Sequence, residues 1–372
     1  LKIIRYFWRD KVFVIAFFLA IGSLFFVRPD LGTLTAINTN VLVIMFSLML
    51  AVAGFTEANL FSKIAIYLTG KFFTVRYIAL VIVISTFFLG MLVTNDAVLL
   101  TLVPFTLFVM RQTGEERYSL LIVILQTFAA NMGSALTPMG DPQNIYLYQY
   151  YDLGFSEFMG ATWPITVSAF LMISATTWFL LPNTFIKPVM VSPKLDRKKI
   201  LVELVVFLAV LLLILRIIPA YVTLGIAILL SVVFYPHLFK KPDYPLLMTF
   251  VSFFIFTHNL SLWPAITTFT NRFLDTPAHV YFTGILSSQV LSNVPASVLL
   301  STFTDKAFWP YLLQSVNVGA MGSLIASLAS LITFKFVTRE FSGQGKTYIL
   351  TYTFLSLVYM VLITCIVFIY NL

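Results

Sequence analysis

At 372 residues, 60% apolar and only 10% charged, this chain lacks the polar surface of a soluble domain, which carries about 25% charged residues. Its 38 phenylalanines against 23 basic and 15 acidic residues describe an integral membrane protein and exclude a soluble enzyme or a disordered chain. The single cysteine, Cys365, excludes a disulfide framework, and the net charge of +8 sits in short clusters such as Lys194, Arg197, Lys198 and Lys199, a pattern of membrane topology and not of nucleic-acid binding.

A helix needs about 20 apolar residues to cross the hydrocarbon core. On that measure, crossings are expected near 12–27, 40–55, 118–137, 158–181, 201–218, 220–236, 246–262, 311–334 and 347–370. The first has no small-residue cleavage site and runs into Arg28-Pro29-Asp30, so it reads as a span and not as a signal sequence. Two further apolar windows, 77–110 and 276–304, hold 34 and 29 residues, fewer than the roughly 40 that two crossings need. Each is interrupted by a polar tip, Thr94-Asn95-Asp96 in the first and Ser292-Asn293-Val294-Pro295 in the second. Helix, tip and helix in so short a window read as a re-entrant hairpin, tolerated only where protein or a cavity surrounds it.

The hairpins belong to a repeat. "LVTNDAVLLTLVPF" resembles "VLSNVPASVLLSTF", with Asn95 matching Asn293, and Met132-Gly133-Ser134 downstream of the first matches Met321-Gly322-Ser323 downstream of the second. An odd number of crossings separates the halves, so they are inverted relative to each other, an arrangement of secondary transporters. The expected fold class is therefore an all-α integral membrane protein, with about nine transmembrane helices plus two re-entrant hairpins in an inverted-topology repeat. Residues 1–181 form the N-terminal repeat, 182–200 a cytoplasmic linker and 201–372 the C-terminal repeat. With the amino end inside and the carboxyl end outside, all but four of the 23 Lys and Arg fall on the inner side. The four exceptions are Arg28, Arg216, Arg272 and Lys306, and the imbalance sets the orientation.

Few ionisable residues lie within the membrane. Asp96 sits at the first tip, and Asp141 sits in Thr137-Pro138-Met139-Gly140-Asp141-Pro142-Gln143-Asn144, near 137–144, where the prolines must break the helix. An acid at that depth is costly and so marks function by default, here a cation or proton site; a cap on the second hairpin arm is the alternative for Asp96. Each tip aims the start of a half-helix, with its free N–H groups, into the protein. Asn95 and Asn293, with the hydroxyls of Thr94 and Ser292, suit a small oxyanion without a buried base. Glu57 reads as facing water, Glu203 as a helix-start dipole partner at the inner surface, and His258 as interfacial. There is no phosphate loop, no His pair at helical spacing and no Cys/His cluster, so no enzyme activity, cofactor or structural metal is expected.

"LVTNDAVLLTLVPF", "QTFAANMGSALTPMGDPQNIYLY" and "SQVLSNVPASVLL" resemble the ion transporter superfamily over about residues 40–340. The similarity is to its citrate-transporter-like and arsenical-pump-like permeases, relatives of the NhaD-type sodium/proton antiporters and of the divalent anion/sodium symporters. The resemblance implies a scaffold domain and a hairpin-bearing transport domain, working as an elevator in a homodimer within the lipid bilayer of the cell membrane. With the matching tips and the first break, a small anion is expected at Thr94, Asn95, Gly140, Asn144, Ser292, Asn293, Pro295 and Gly322. The coupling cation is expected at the two buried acids, Asp96 and Asp141, with Asn95 and Asn293, and Na+, where that is the coupling ion, at Asn95, Asp96 and Asn293. The first tip departs from the family pattern by gaining an acid and the second by losing a hydroxyl. The expected activity is secondary transport of a small organic or inorganic anion coupled to Na+ or H+; a Na+/H+ antiporter is the alternative and a passive anion channel the third reading.

Overall fold

The computed structural model describes residues 2–8, 10–27, 31–187 and 193–370; Arg28-Pro29-Asp30 and the middle of the expected linker, 188–192, lie outside them. Regular structure among the described residues is helical, apart from an isolated bridge between Thr74 and Phe185. In chain order the helices are α1 (Lys2–Trp8), α2 (Lys11–Leu24), α3 (Leu31–Thr35), α4 (Thr39–Glu57), α5 (Leu60–Thr69), α6 (Val75–Leu92), α7 (Asn95–Gln112), α8 (Ser119–Ser134), α9 (Pro142–Tyr150) and α10 (Phe155–Leu180). They continue as α11 (Arg197–Ile214), α12 (Ala220–Phe234), α13 (Tyr244–Ser261), α14 (Pro264–Asn271), α15 (Pro277–Leu291), α16 (Asn293–Ser301), α17 (Trp309–Gly319), α18 (Leu328–Glu340) and α19 (Gly345–Tyr370).

Val75–Leu92, Phe155–Leu180, Gly345–Tyr370 and the stretch Gly32–Glu57 are each long and apolar enough to cross a bilayer. Their outer faces stay greasy: Leu350, Phe354, Leu357 and Val361 of α19 are all exposed, as are Leu229, Val232 and Val233 of α12. Water would penalise such rows, whereas lipid tails accept them. The protein is an all-α membrane protein.

The helices form two packed groups. α2 lies along α13, and α4 lies along α11 and α12; α6 lies along α8, with α10, α18 and α19 around them. Ile44, Leu48, Tyr146 and Phe250 belong to the core of the first group, and Ile78, Phe128 and Tyr352 to that of the second.

Two expectations need correction. The crossing expected at 311–334 is split into α17 and α18, with 320–327 irregular between them. Small and hydroxylated residues replace the proline of the first break, and side chains satisfy the freed backbone groups: Ser356 donates to Met321 and Gly322 carbonyls, and Ser323 N–H donates to Gln289 Oε1 at 2.6 Å. The arms of the first hairpin are also longer than the window between Arg76 and Arg111 implies. α6 and α7 have 18 residues each, about 27 Å apiece at the α-helical rise. Arg76 fits inside α6 by bonding the Leu181 carbonyl (2.9 Å) and lying over Trp178, and Arg111 pairs with Glu116 and Glu340. Only the second hairpin keeps a short arm: α16 has 9 residues, about 14 Å and half the hydrocarbon core.

Candidate functional site

Both tips are built alike at the backbone. Thr94 ends the link between α6 and α7, so Asn95 is the first helical residue, and Ser292 does the same for Asn293 between α15 and α16. In each, the Asn side chain folds back over its own helix start. Asn95 Oδ1 accepts from Asp96 N–H at 2.8 Å, and Asn293 Oδ1 accepts from Val294 N–H at 2.9 Å. The cap at the first tip is thus Asn95, which leaves Asp96 free of that duty.

The amide nitrogens have different fates. Asn95 Nδ2 donates to Asp141 Oδ2 at 2.8 Å and to Asn131 Oδ1 at 3.1 Å. Asn293 Nδ2 is buried with no partner. The second tip is held through its backbone instead: Asn293 N–H and Ser292 Oγ both donate to the Ala326 carbonyl, at 2.9 and 3.2 Å. Ser292 takes φ 74° to do so, a left-handed conformation that costs a non-glycine residue energy and recurs at functional sites.

Behind the first tip, α8 stops at Ser134 and the chain turns through Pro138–Gly140 before α9 resumes at Pro142. Asp141 lies at that restart, 4% exposed. Gly140 packs where a methyl group would overlap the Ser134 and Gly90 carbonyl oxygens, and Gly133 where one would overlap Phe87 backbone. Asn144 Nδ2 donates to the freed Ser134 carbonyl at 3.0 Å and its Oδ1 accepts from Asn317 at 2.8 Å. Gly322 lies under the Gln289 amide. Gly140, Asn144 and Gly322 therefore brace the breaks from behind.

The tips and the first break open on one cavity, whose walls include Asn95, Asp96, Asp141, Ser292, Asn293 and Pro295. Thr94 lines the adjoining space, which shares Asp96, Pro142 and Asp243 with the cavity and runs past the last turns of α4 to Glu57 and Lys241. Sequence reasoning missed several walls. Asp10 and Asp243 face the same cavity from the starts of α2 and α13, where each caps its helix, Asp10 on Phe13 N–H (2.8 Å) and Asp243 on Leu246 N–H (3.0 Å). The sequence analysis singles out neither, and nothing in the sequence shows that the two helix starts converge. Asn131 joins the first tip to the second break: besides Asn95, its Oδ1 accepts from Ser327 (3.2 Å) and its Nδ2 donates to the Ala320 carbonyl (3.3 Å). An asparagine inside the apolar run of α8 was the available signal.

The cavity is acidic. Asp10, Asp96, Asp141 and Asp243 are among its walls, and no Lys or Arg is, among the described residues. Asp96 Oδ1 is buried without a partner. Burial raises the Asp243 carboxyl above its ordinary range, against the opposing Leu246 N–H bond. No group of three or more His, Cys, Asp or Glu among the described residues has metal-holding geometry, so these acids form no ready chelate. Glu203 departs from its expected surface place: it is fully buried on α11.

Comparison with known proteins gives a consistent answer. The profile of the family described as "Citrate transporter" matches residues 7–308. An uncharacterized transporter of Methanocaldococcus jannaschii is 29% identical over 88% of this chain and 90% of its own length. The inner membrane protein YbiR of Escherichia coli is 28% identical over 90% of each chain. A Dictyostelium discoideum protein that carries the transporter name arsB is 24% identical over 40% of this chain and 25% of its own.

Proposed function

The chain belongs to the citrate transporter family of membrane proteins, and from that premise we propose that it moves a small carboxylate-bearing anion across the cell membrane, coupled to sodium or protons. The observation that carries this reading is the division of one cavity. Carboxylates of Asp10, Asp96, Asp141 and Asp243 line it together with the unpartnered amide of Asn293 at the start of α16. An anionic oxygen suits the Asn293 amide and the positive helix end beside it. A cation suits Asp96, whose buried oxygen has no other partner. Each charge makes the other easier to hold in so acidic a space, which is what coupling requires.

In this reading the hairpins and breaks form the moving half and α2, α4 and α11–α13 the stationary half, with the stationary halves of two chains forming a homodimer. The second hairpin re-enters, since α16 has 9 residues, and the first enters from the opposite side. The amino end is inside. α2 and α13 then start inside and α4 ends there, so the space running from Asp96 to Glu57 is an inward-open entrance.

The excess of acids also favours a second reading, a Na+/H+ antiporter in which Asp96 and Asp141 exchange the two cations. A pH-jump assay in proteoliposomes separates the two. Proton flux that waits for citrate or another small carboxylate supports coupled anion transport. Sodium-driven proton flux with no anion present supports the antiporter and contradicts the first reading.

A further inference from the structure

A second set of charges lies away from the tips, where α4 meets α11 and the turn Pro236–Lys240. Glu57, the last residue of α4, pairs with Lys199 Nζ at 3.0 Å, Lys241 Nζ at 3.0 Å and His237 Nε2 at 2.8 Å. One helical turn along α11 from Lys199 comes Glu203. It is fully buried, and neither carboxyl oxygen has a hydrogen-bond partner. Its side chain occupies a notch made by Gly54, three residues before Glu57 on α4: a methyl group at 54 would overlap Glu203 Cγ and Cδ. The same interface thus carries two carboxyls a turn apart, one surrounded by bases and one with none.

That contrast bears on the proton. A buried ionised carboxylate without a donor is far costlier than the neutral acid. The nearest base on the same face, Lys199, is engaged with Glu57. We propose that Glu203 is a proton-binding site, occupied in this conformation, and that loss of its proton transfers Lys199 from Glu57 to Glu203. The transfer is sterically short, because residues four apart on a helix lie on one face.

The surrounding groups leave Lys199 as the one base positioned to respond. On α11 itself the charged neighbours are Asp196, which caps the helix, and Lys199. α4 contributes Glu57, and α12 contributes only Tyr221 at its far end. Beyond α12, Tyr235 lies under Lys199 Nζ at 4.6 Å from the ring centre, and His237 and Lys241 are held by Glu57. The sign follows: lower pH favours the proton on Glu203 with Lys199 on Glu57, and higher pH favours the swapped pairing. Glu57 and Lys241 also line the space that leads to Asp96, so the swap alters one wall of that entrance. This consequence rests on the transport reading; the proton site does not.

Infrared difference spectroscopy on the purified protein, as pH is raised, tests the site without any transport. The wild type is expected to lose a protonated-carboxyl C=O band that Glu203→Gln, a copy of the neutral acid's shape, lacks. An unchanged band loss in Glu203→Gln overturns the proposal. Glu203's proton leaves to solvent, and Lys199→Met keeps Glu203 while removing the ammonium that pairs with its ionised carboxylate, so its band loss is expected to move to higher pH. An unshifted loss in Lys199→Met overturns the transfer. In proteoliposomes, Glu203→Gln is expected to lose the dependence of transport rate on pH at the Lys199 side, and a retained wild-type profile contradicts the link to the entrance.

Discussion

The two hairpin tips share a backbone design and differ in what their asparagines have left to give. Asn95 spends its amide on Asp141 and Asn131, inside the first half's own framework. Asn293 keeps its amide unpaired and lets Ser292 and its backbone N–H hold the tip to Ala326. One tip is thus committed to structure and to positioning acids; the other holds a donor in reserve. Two matched tips can share geometry while dividing labour, because the same helix start serves either to orient a carboxylate or to meet a ligand.

The largest expected effects break this comparison at the braces. Gly140→Ala drives a methyl group into two backbone carbonyls and should abolish folded protein. Gly322→Ala meets only the Gln289 side chain and should leave a foldable chain, as yield and size-exclusion profiles will tell. Equal loss in both would erase the structural difference between the halves. Next come the asparagines. Asn95→Ala strips a donor from buried Asp141 and should lower stability by about 1–3 kcal/mol in a thermal unfolding assay. Asn293→Ala removes an amide nitrogen that nothing in the protein uses together with the oxygen that caps Val294 N–H, so it should cost only a helix cap, about 1 kcal/mol, and less than Asn95→Ala.

The acids sharpen the contrast further. Asp96→Asn removes charge from an oxygen with no protein partner and should weaken cation dependence strongly. Asp141→Asn keeps an acceptor for Asn95 and should be milder; uptake against sodium concentration in both variants checks the order. The smallest expected effect concerns Asp243. Its carboxyl titrates above the ordinary range because burial disfavours the charge, so cation affinity should fall as pH drops through that raised value, and Asp243→Asn should flatten this part of the pH profile.

Much of this was legible in the sequence, for physical reasons. An asparagine and an acid interrupting an apolar window have no cheap place in lipid, so the tips announced themselves, and Pro138 with Pro142 forced the first break. The second break has no proline; its backbone is satisfied by Gln289, Tyr352 and Ser356 from other helices, which only tertiary structure brings together, and 311–334 therefore read as one crossing. Asp10 and Asp243 escaped notice for the same reason. Glu203 misled because a carboxyl near a helix start ordinarily faces water, and the notch that admits it is made by Gly54 on a different helix.

The most direct test of the account is uptake of labelled citrate into proteoliposomes holding wild type or Asn293→Ala, under an imposed sodium or proton gradient. The account predicts gradient-dependent accumulation by wild type and none by Asn293→Ala, with the variant folded and short of its parent's stability by no more than a helix cap. Wild-type accumulation by a well-folded Asn293→Ala would contradict it and place the anion away from the second tip.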